Sequence, residues 1–203
     1  MENFNINNIS KQTRQFELFD STTNASIKLQ HINNLKVTTE TLMIWRNRIF
    51  DHQSKILKNK HKEIFQQSII PNNGCLDNKK IDPFSLQPLS LNFWRSSQQV
   101  HDGPAMYFVI DTMKNSKIIL YIGETNSANK RWKGEHDCKN YLSNYKEALV
   151  SNNLLSHQDI RFFLDAPKDV KLRRRLEQKL ISLWLPPFNK ETRHRWTTTF
   201  TNN

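Results

Sequence analysis

Two runs of apolar and β-branched residues, MYFVID at 106–111 and KIILYIG at 117–123, lie five residues apart in the middle of a 203-residue chain. Each is too short for an ordinary helix, and the connection TMKNS is polar, so the pair reads as a β-hairpin with a five-residue connection. The hairpin constrains everything after it. NYLSNYKEALVSNN has the spacing of a helix, DIRFFLD that of a third strand, and DVKLRRRLEQKLISLWL that of a helix stopped by Pro186 and Pro187. The order β-β-α-β-α predicts an α+β domain, with a small three-stranded antiparallel sheet flanked by helices.

The first half has a different texture. HDGPA at 101–105 is turn chemistry, and it suggests a division into residues 1–100, a mainly helical N-terminal extension, and residues 101–203, the α+β domain. Residues 1–36 are rich in Asn, Ser and Thr and read as irregular. Beyond them, Leu42, Trp45, Ile49, Ile56, Leu57 and Ile64 recur at helical spacing, with Arg46, Arg48, Lys55, Lys58 and Lys62 on other faces. This predicts one long helix or two around residues 38–70, ended by Pro71 and the following NNG. In IDPFSLQPLSLNFWRSS, Pro83 and Pro88 exclude a helix interior, while Phe84, Leu86, Leu91, Phe93 and Trp94 offer apolar surface. An extended strap packed on a neighbour fits that composition.

The chain carries 30 Lys and Arg against 19 Asp and Glu, a formal net charge of +11, and a pI of about 9.7. Its halves hold +5 (13 against 8) and +6 (17 against 11), so no single basic tail accounts for the excess. Neutralising phosphates with Lys and Arg is the main source of nonspecific nucleic-acid affinity, so a polyanionic partner is expected; a soluble basic surface is the alternative. No apolar run approaches the ~20 residues that cross a bilayer, and MENFNINNISK lacks the regions of a signal peptide. Cys75 and Cys138 stand far apart with no CxxC neighbour. A cytoplasmic protein with reduced thiols and no membrane partner is expected. Gly-rich phosphate loops of the G-x-G-x-x-G or G-x-x-x-x-G-K kind are not present in the sequence.

Three features carry chemistry. On a helical wheel Val170, Leu172, Leu176, Leu180, Ile181, Leu183 and Trp184 share one apolar sector, and Glu177 falls inside it. A carboxylate leaving water needs a partner. Arg173, four residues earlier, is one candidate; a divalent metal is the other, because one carboxylate with waters and phosphate oxygens is a normal magnesium donor set. The second feature is the pair Tyr107 and Tyr121, one on each hairpin strand, with Gly123 on the face of Tyr121. Strand tyrosines commonly serve packing, and the glycine suits a bulge or the close approach of a ligand. The third is Lys130, Arg131, Lys133 and His136 with Trp132 among them, suited to phosphate contact and equally to a solvated helix.

In this order the features resemble the GIY-YIG nuclease family over residues 103–191. AMY at 105–107 stands for the first triplet, with Ala105 where the family has glycine, and YIG at 121–123 matches the second. KRWKGEH supplies the arginine and a histidine five residues later, RRRLEQKLI the helix glutamate, and PPFNKE the closing asparagine. The resemblance implies a metal-dependent DNA endonuclease in which Tyr107, Tyr121, Arg131 and Glu177 are catalytic. Tyr107 would accept a proton from the attacking water, Arg131 would bind the scissile phosphate, and Glu177 would hold a single Mg²⁺ or Mn²⁺. Because a free phenol has a pKa of ~10, the role of Tyr107 requires a nearby cation, Lys130 or Lys133, or a water relay. Gly123, Lys130, Lys133, His136 and Asn189 would complete substrate binding, Asn189 as a site-shaping or strand-fixing residue. RNA is an alternative target, a silent binding module of the same fold an alternative function, and a homodimer through the long helix an alternative state.

Overall fold

From Thr39 onward the helical spacing of the first half is realised as one helix, α1 (Thr39–Gln67), in the computed structural model, which describes residues 37–67, 81–95, 102–114, 116–131 and 137–196. Thr38 caps it: its Oγ1 accepts from Thr41 N–H at 3.2 Å, and Glu40 places a negative charge in the first turn, where the helix dipole favours one. The side chains of Lys62, Ile64, Trp94 and Arg131, and the whole of residues 1–36, Pro71 with NNG, Cys75, Trp132, Lys133 and His136, lie outside the described residues.

The hairpin strands are longer than their apolar runs. Strands β2 (Ala105–Met113) and β3 (Ser116–Thr125) pair through Thr112↔Lys117 and Met113↔Ser116. The expected five-residue connection is therefore shorter, because Thr112, Met113 and Ser116 of TMKNS continue the ladder. Lys114 takes the left-handed conformation, φ 50°, that tight hairpin connections demand. After the short α2 (Ala128–Arg131) and α3 (Asp137–Ser151), β4 (His157–Phe163) pairs antiparallel with β2. The last long helix, α4 (Val170–Trp184), is capped by Asp169, which accepts from Leu172 N–H at 2.8 Å. Leu185 ends it in the left-handed region just before Pro186.

The sheet has four strands, not three, in the order β1-β4-β2-β3, all antiparallel. The additional strand, β1 (Leu89–Ser90), belongs to the strap and is too short to show an alternating pattern. A buried pair fastens the strap. Arg161 forks onto Asp159, Nε to Oδ1 at 2.7 Å and Nη2 to Oδ2 at 3.1 Å, and its Nη1 donates to the carbonyls of Phe84 and Leu86.

Each sheet face carries its own core. On one, Tyr107, Val109, Leu120 and Phe162 meet Leu42, Trp45 and Ile49 of α1 and Leu142, Tyr145 and Leu149 of α3. On the other, Met106, Phe108, Ile110, Ile119 and Ile122 meet Leu176, Leu180, Ile181 and Trp184 of α4, with Ile56 and Leu57 packed alongside. Helix α1 thus rounds the β3 edge, its first turns on one face and its middle on the other. Arg46 is fully buried in that crossing. Its guanidinium reaches Asp111 Oδ2 from Nε at 3.0 Å and Ser116 Oγ from Nη1 at 2.6 Å, while Tyr145 donates to the same Asp111 oxygen at 3.0 Å. Removing one partner of such a pair strands a buried charge at a cost of about 3–5 kcal/mol. The described residues from Val37 onward form one compact unit in which α1, the strap and the sheet share these cores.

Candidate active site

A register shift creates the site. Between Val109 and Ile110 the pairing changes from Val109↔Tyr121 to Ile110↔Ile119, so Leu120 is an extra residue in β3. Without this bulge the strand alternation would send Tyr121 and Gly123 to the α4 face. With it they join Tyr107, whose direct partner is Gly123.

Tyr107 is fully buried and its ring lies across Gly123: a Cβ at 123 would sit 2.3 Å from the Tyr107 ring carbon Cζ. The glycine's missing side chain therefore makes room for a tyrosine of the same sheet. The Tyr121 ring stacks on Tyr107 at 5.9 Å between centroids with 27° between planes, and Phe162 closes the far side of Tyr107 at 6.1 Å. The two phenols share a hydrogen bond. Burial pushes the Tyr121 hydroxyl well above the ordinary phenol range, and the nearby Tyr107, Cys138 and Glu177 push it the same way. At neutral pH Tyr121 is an uncharged donor and acceptor, not a phenolate.

Glu177 enters from α4, half-buried, and its Oε1 accepts the backbone N–H of Glu124 at 3.0 Å, one residue beyond Gly123. The expected pairing of Arg173 with Glu177 is replaced by another. Arg173, fully buried, donates from Nε to Glu124 Oε2 at 2.6 Å, from Nη1 to the carbonyls of Pro167 and Lys168 and from Nη2 to Asn126 Oδ1. It turns away from its own helix because the loops before α4 and after β3 present acceptors there. This also corrects the apolar sector of α4: Val170 and Leu172 are exposed, and Arg173 fills the inward position of the first turn.

Asn189 is buried at the outer edge of β3, where its Oδ1 accepts from Ile122 N–H at 2.9 Å and its Nδ2 donates to Ile122 O at 2.8 Å. Gln53 of α1 does the same at Ile119, accepting at 2.7 Å and donating at 3.1 Å. With Glu177 on Glu124, three side chains take three outward N–H groups of the edge strand. Lys130 is exposed on α2, and Arg131 ends that helix. Their approach is held in place by Ser127, whose Oγ donates to Asp102 at 2.9 Å and whose N–H meets Thr125 Oγ1 at 3.1 Å. Tyr107, Tyr121, Gly123 and Glu177 are thus gathered at one end of the sheet, while Lys133 and His136 lie outside the described residues.

No protein-family model matches the chain, and no curated protein or solved structure matches it either. The site is therefore interpreted from its own chemistry. Among the described residues no three His, Cys, Asp or Glu side chains cluster as a ready-made cage. What Glu177 offers is a single oxygen donor oriented by a backbone amide, which fits a hard cation that keeps its waters and takes phosphate oxygens; it does not fit a soft, fully protein-ligated metal.

The sequence reading did not identify Glu124 or Gln53 as organising residues. Glu124 links Arg173 to the strand that presents Tyr121, and its amide orients Glu177. Its only sequence signal is adjacency to YIG. Among the described residues no helix is long and apolar enough to cross a membrane.

Proposed function

We propose that the chain is a metal-dependent endonuclease that hydrolyses phosphodiester bonds of DNA at the Tyr107–Tyr121–Glu177 cluster. The observation that supports this most is the meeting of these residues, 70 positions apart at the extremes, at one sheet end in the order that resembles the GIY-YIG set. The basic balance of the chain suits a polyphosphate substrate.

In this reading Glu177 holds one Mg²⁺ or Mn²⁺, which when bound offsets charge on the phosphate and the departing oxygen. Water attacks phosphorus in line, forming the new P–O bond as the bond to the leaving sugar oxygen breaks. Tyr121, uncharged and partly exposed, takes the water's proton as it gives its own to a phosphate oxygen, and Tyr107, hydrogen-bonded to Tyr121, holds that hydroxyl in place, so both phenols end as they began. This replaces the phenolate expected for Tyr107. Arg131 meets the scissile phosphate, with Lys130 beside it.

The test is cleavage of plasmid and branched DNA by the full chain with Mg²⁺. Glu177→Ala should lower the rate at least ~10²-fold, the scale seen when a group that stabilises transition-state charge is lost. Tyr107→Phe removes the hydroxyl that holds Tyr121 and should cost ~10²-fold, the lower range for an acid–base step. No cleavage by the unaltered protein, or cleavage by both variants at the rate of the unaltered protein, would sink the proposal. A silent binding module is favoured by one observation, that Glu177 already serves the edge of β3. DNA binding that survives Glu177→Ala with no metal-dependent cleavage of any substrate would select it.

A further inference from the structure

The exposed face of α4 presents Lys171, Arg174, Arg175 and Lys179, with Gln178 among them, around one shallow open hollow. These positions repeat at three, four, seven and eight residues from Lys171, so they form a single stripe along the helix. Between Val170 and Ser182 the only carboxylate is Glu177, which is turned inward to Glu124. Lys171, Arg175 and Lys179 have no carboxylate partner among the described residues. Arg174 comes within 3.7 Å of Glu124 Oε1, but Arg173 already pairs that carboxylate at 2.6 Å.

We propose that this stripe is the surface on which the sugar–phosphate backbone of duplex DNA lies beside the cut; the inference rests on the nuclease reading for its substrate. The eight steps from Lys171 to Lys179 span about 12 Å of helix. One strand of B-form DNA along that length presents about three or four phosphates, matching four cations. Arg174 is the member of the stripe nearest Glu177 around the helix, so the backbone that the stripe holds leads toward the candidate site. Helix α1 offers a poorer surface: Arg46 is consumed by Asp111, and Asp51 stands among Arg48, Lys55 and Lys58 on the same side.

The experiment is duplex-DNA binding by the full chain in EDTA, so that no cleavage intervenes, titrated from 50 to 200 mM salt. Replacing Lys171, Arg175 and Lys179 together by Ala should lower the slope of log K against log salt by about 3, at ~0.9 per phosphate contact. Replacing Arg48, Lys55 and Lys58 by Ala removes equal charge and should change the slope by less than about 1. An unchanged slope in the α4 variant, equal losses in both variants, or no duplex binding by the unaltered protein overturns the stripe. Cleavage with Mg²⁺ is scored separately. Stripe-dependent binding without cleavage defeats the nuclease reading alone, and cleavage with a stripe-independent slope defeats the stripe alone. Because all six positions are exposed, matched thermal unfolding of the variants verifies that folding is intact.

Discussion

At the scale of single residues, the pair Tyr107 and Gly123 behaves as one packing unit. Gly123→Ala drives a methyl into the Tyr107 ring, which has Phe162 behind it and cannot retreat. Overpacking of this kind costs about 1–3 kcal/mol. The loss should largely vanish when Gly123→Ala is made together with Tyr107→Ala, a coupling that denaturant unfolding of both singles and the double measures directly. Tyr121 gives a second expectation. Its folded-state pKa is raised, so its contribution to stability is complete below the ordinary phenol value of ~10 and is lost as pH rises above it. Tyr145, buried beside Asp111, acts in the same direction. Urea midpoints should therefore fall between pH 9 and 11, and Tyr121→Phe should make that fall shallower by up to ~1.4 kcal/mol per pH unit. An identical alkaline slope in the variant would refute the argument.

At the scale of elements, Gln53 docks α1 on β3 through both backbone groups of Ile119. Gln53→Leu keeps the volume but leaves a buried N–H and C=O without that partner, and should cost about 2–6 kcal/mol by thermal or denaturant unfolding, at ~1–3 for each group. The bulk of the secondary structure was legible because its signals are local. Leu42, Trp45 and Ile49 repeat at helical spacing, Pro186 stops α4, and the hairpin runs are β-branched. The two-residue β1 has no period to detect, and TMKNS hid two pairs of ladder residues behind polar side chains. Tyr107, Tyr121, Gly123 and Glu177 were legible as an ordered set of residue types. The parts of Glu124 and Gln53 were not, since Glu124 gives its backbone N–H to a side chain 53 positions away and Gln53 binds backbone 66 positions away. The partners of Arg173 were hidden for the same reason: a helical wheel offers Glu177 as one candidate and says nothing of loop carbonyls.

At the scale of the whole molecule, the second half of the chain is short of core without the first. Leu42, Trp45 and Ile49 fill one face of the sheet, Ile56 and Leu57 border the other, and Arg46 neutralises Asp111. A chain beginning at residue 101 would expose those faces and leave Asp111, still bonded to Tyr145, without its cation. It should lack a cooperative thermal transition, in contrast to the full chain; a sharp transition at similar temperature would show that the α+β part is self-sufficient. The row of side chains along β3 has a further consequence. Strand edges are where like chains join, and here Gln53, Asn189 and Glu177 already occupy the N–H groups of Ile119, Ile122 and Glu124. A second copy seeking to extend the sheet at β3 finds those sockets filled, so if the protein pairs with itself, it must do so through some surface other than that edge.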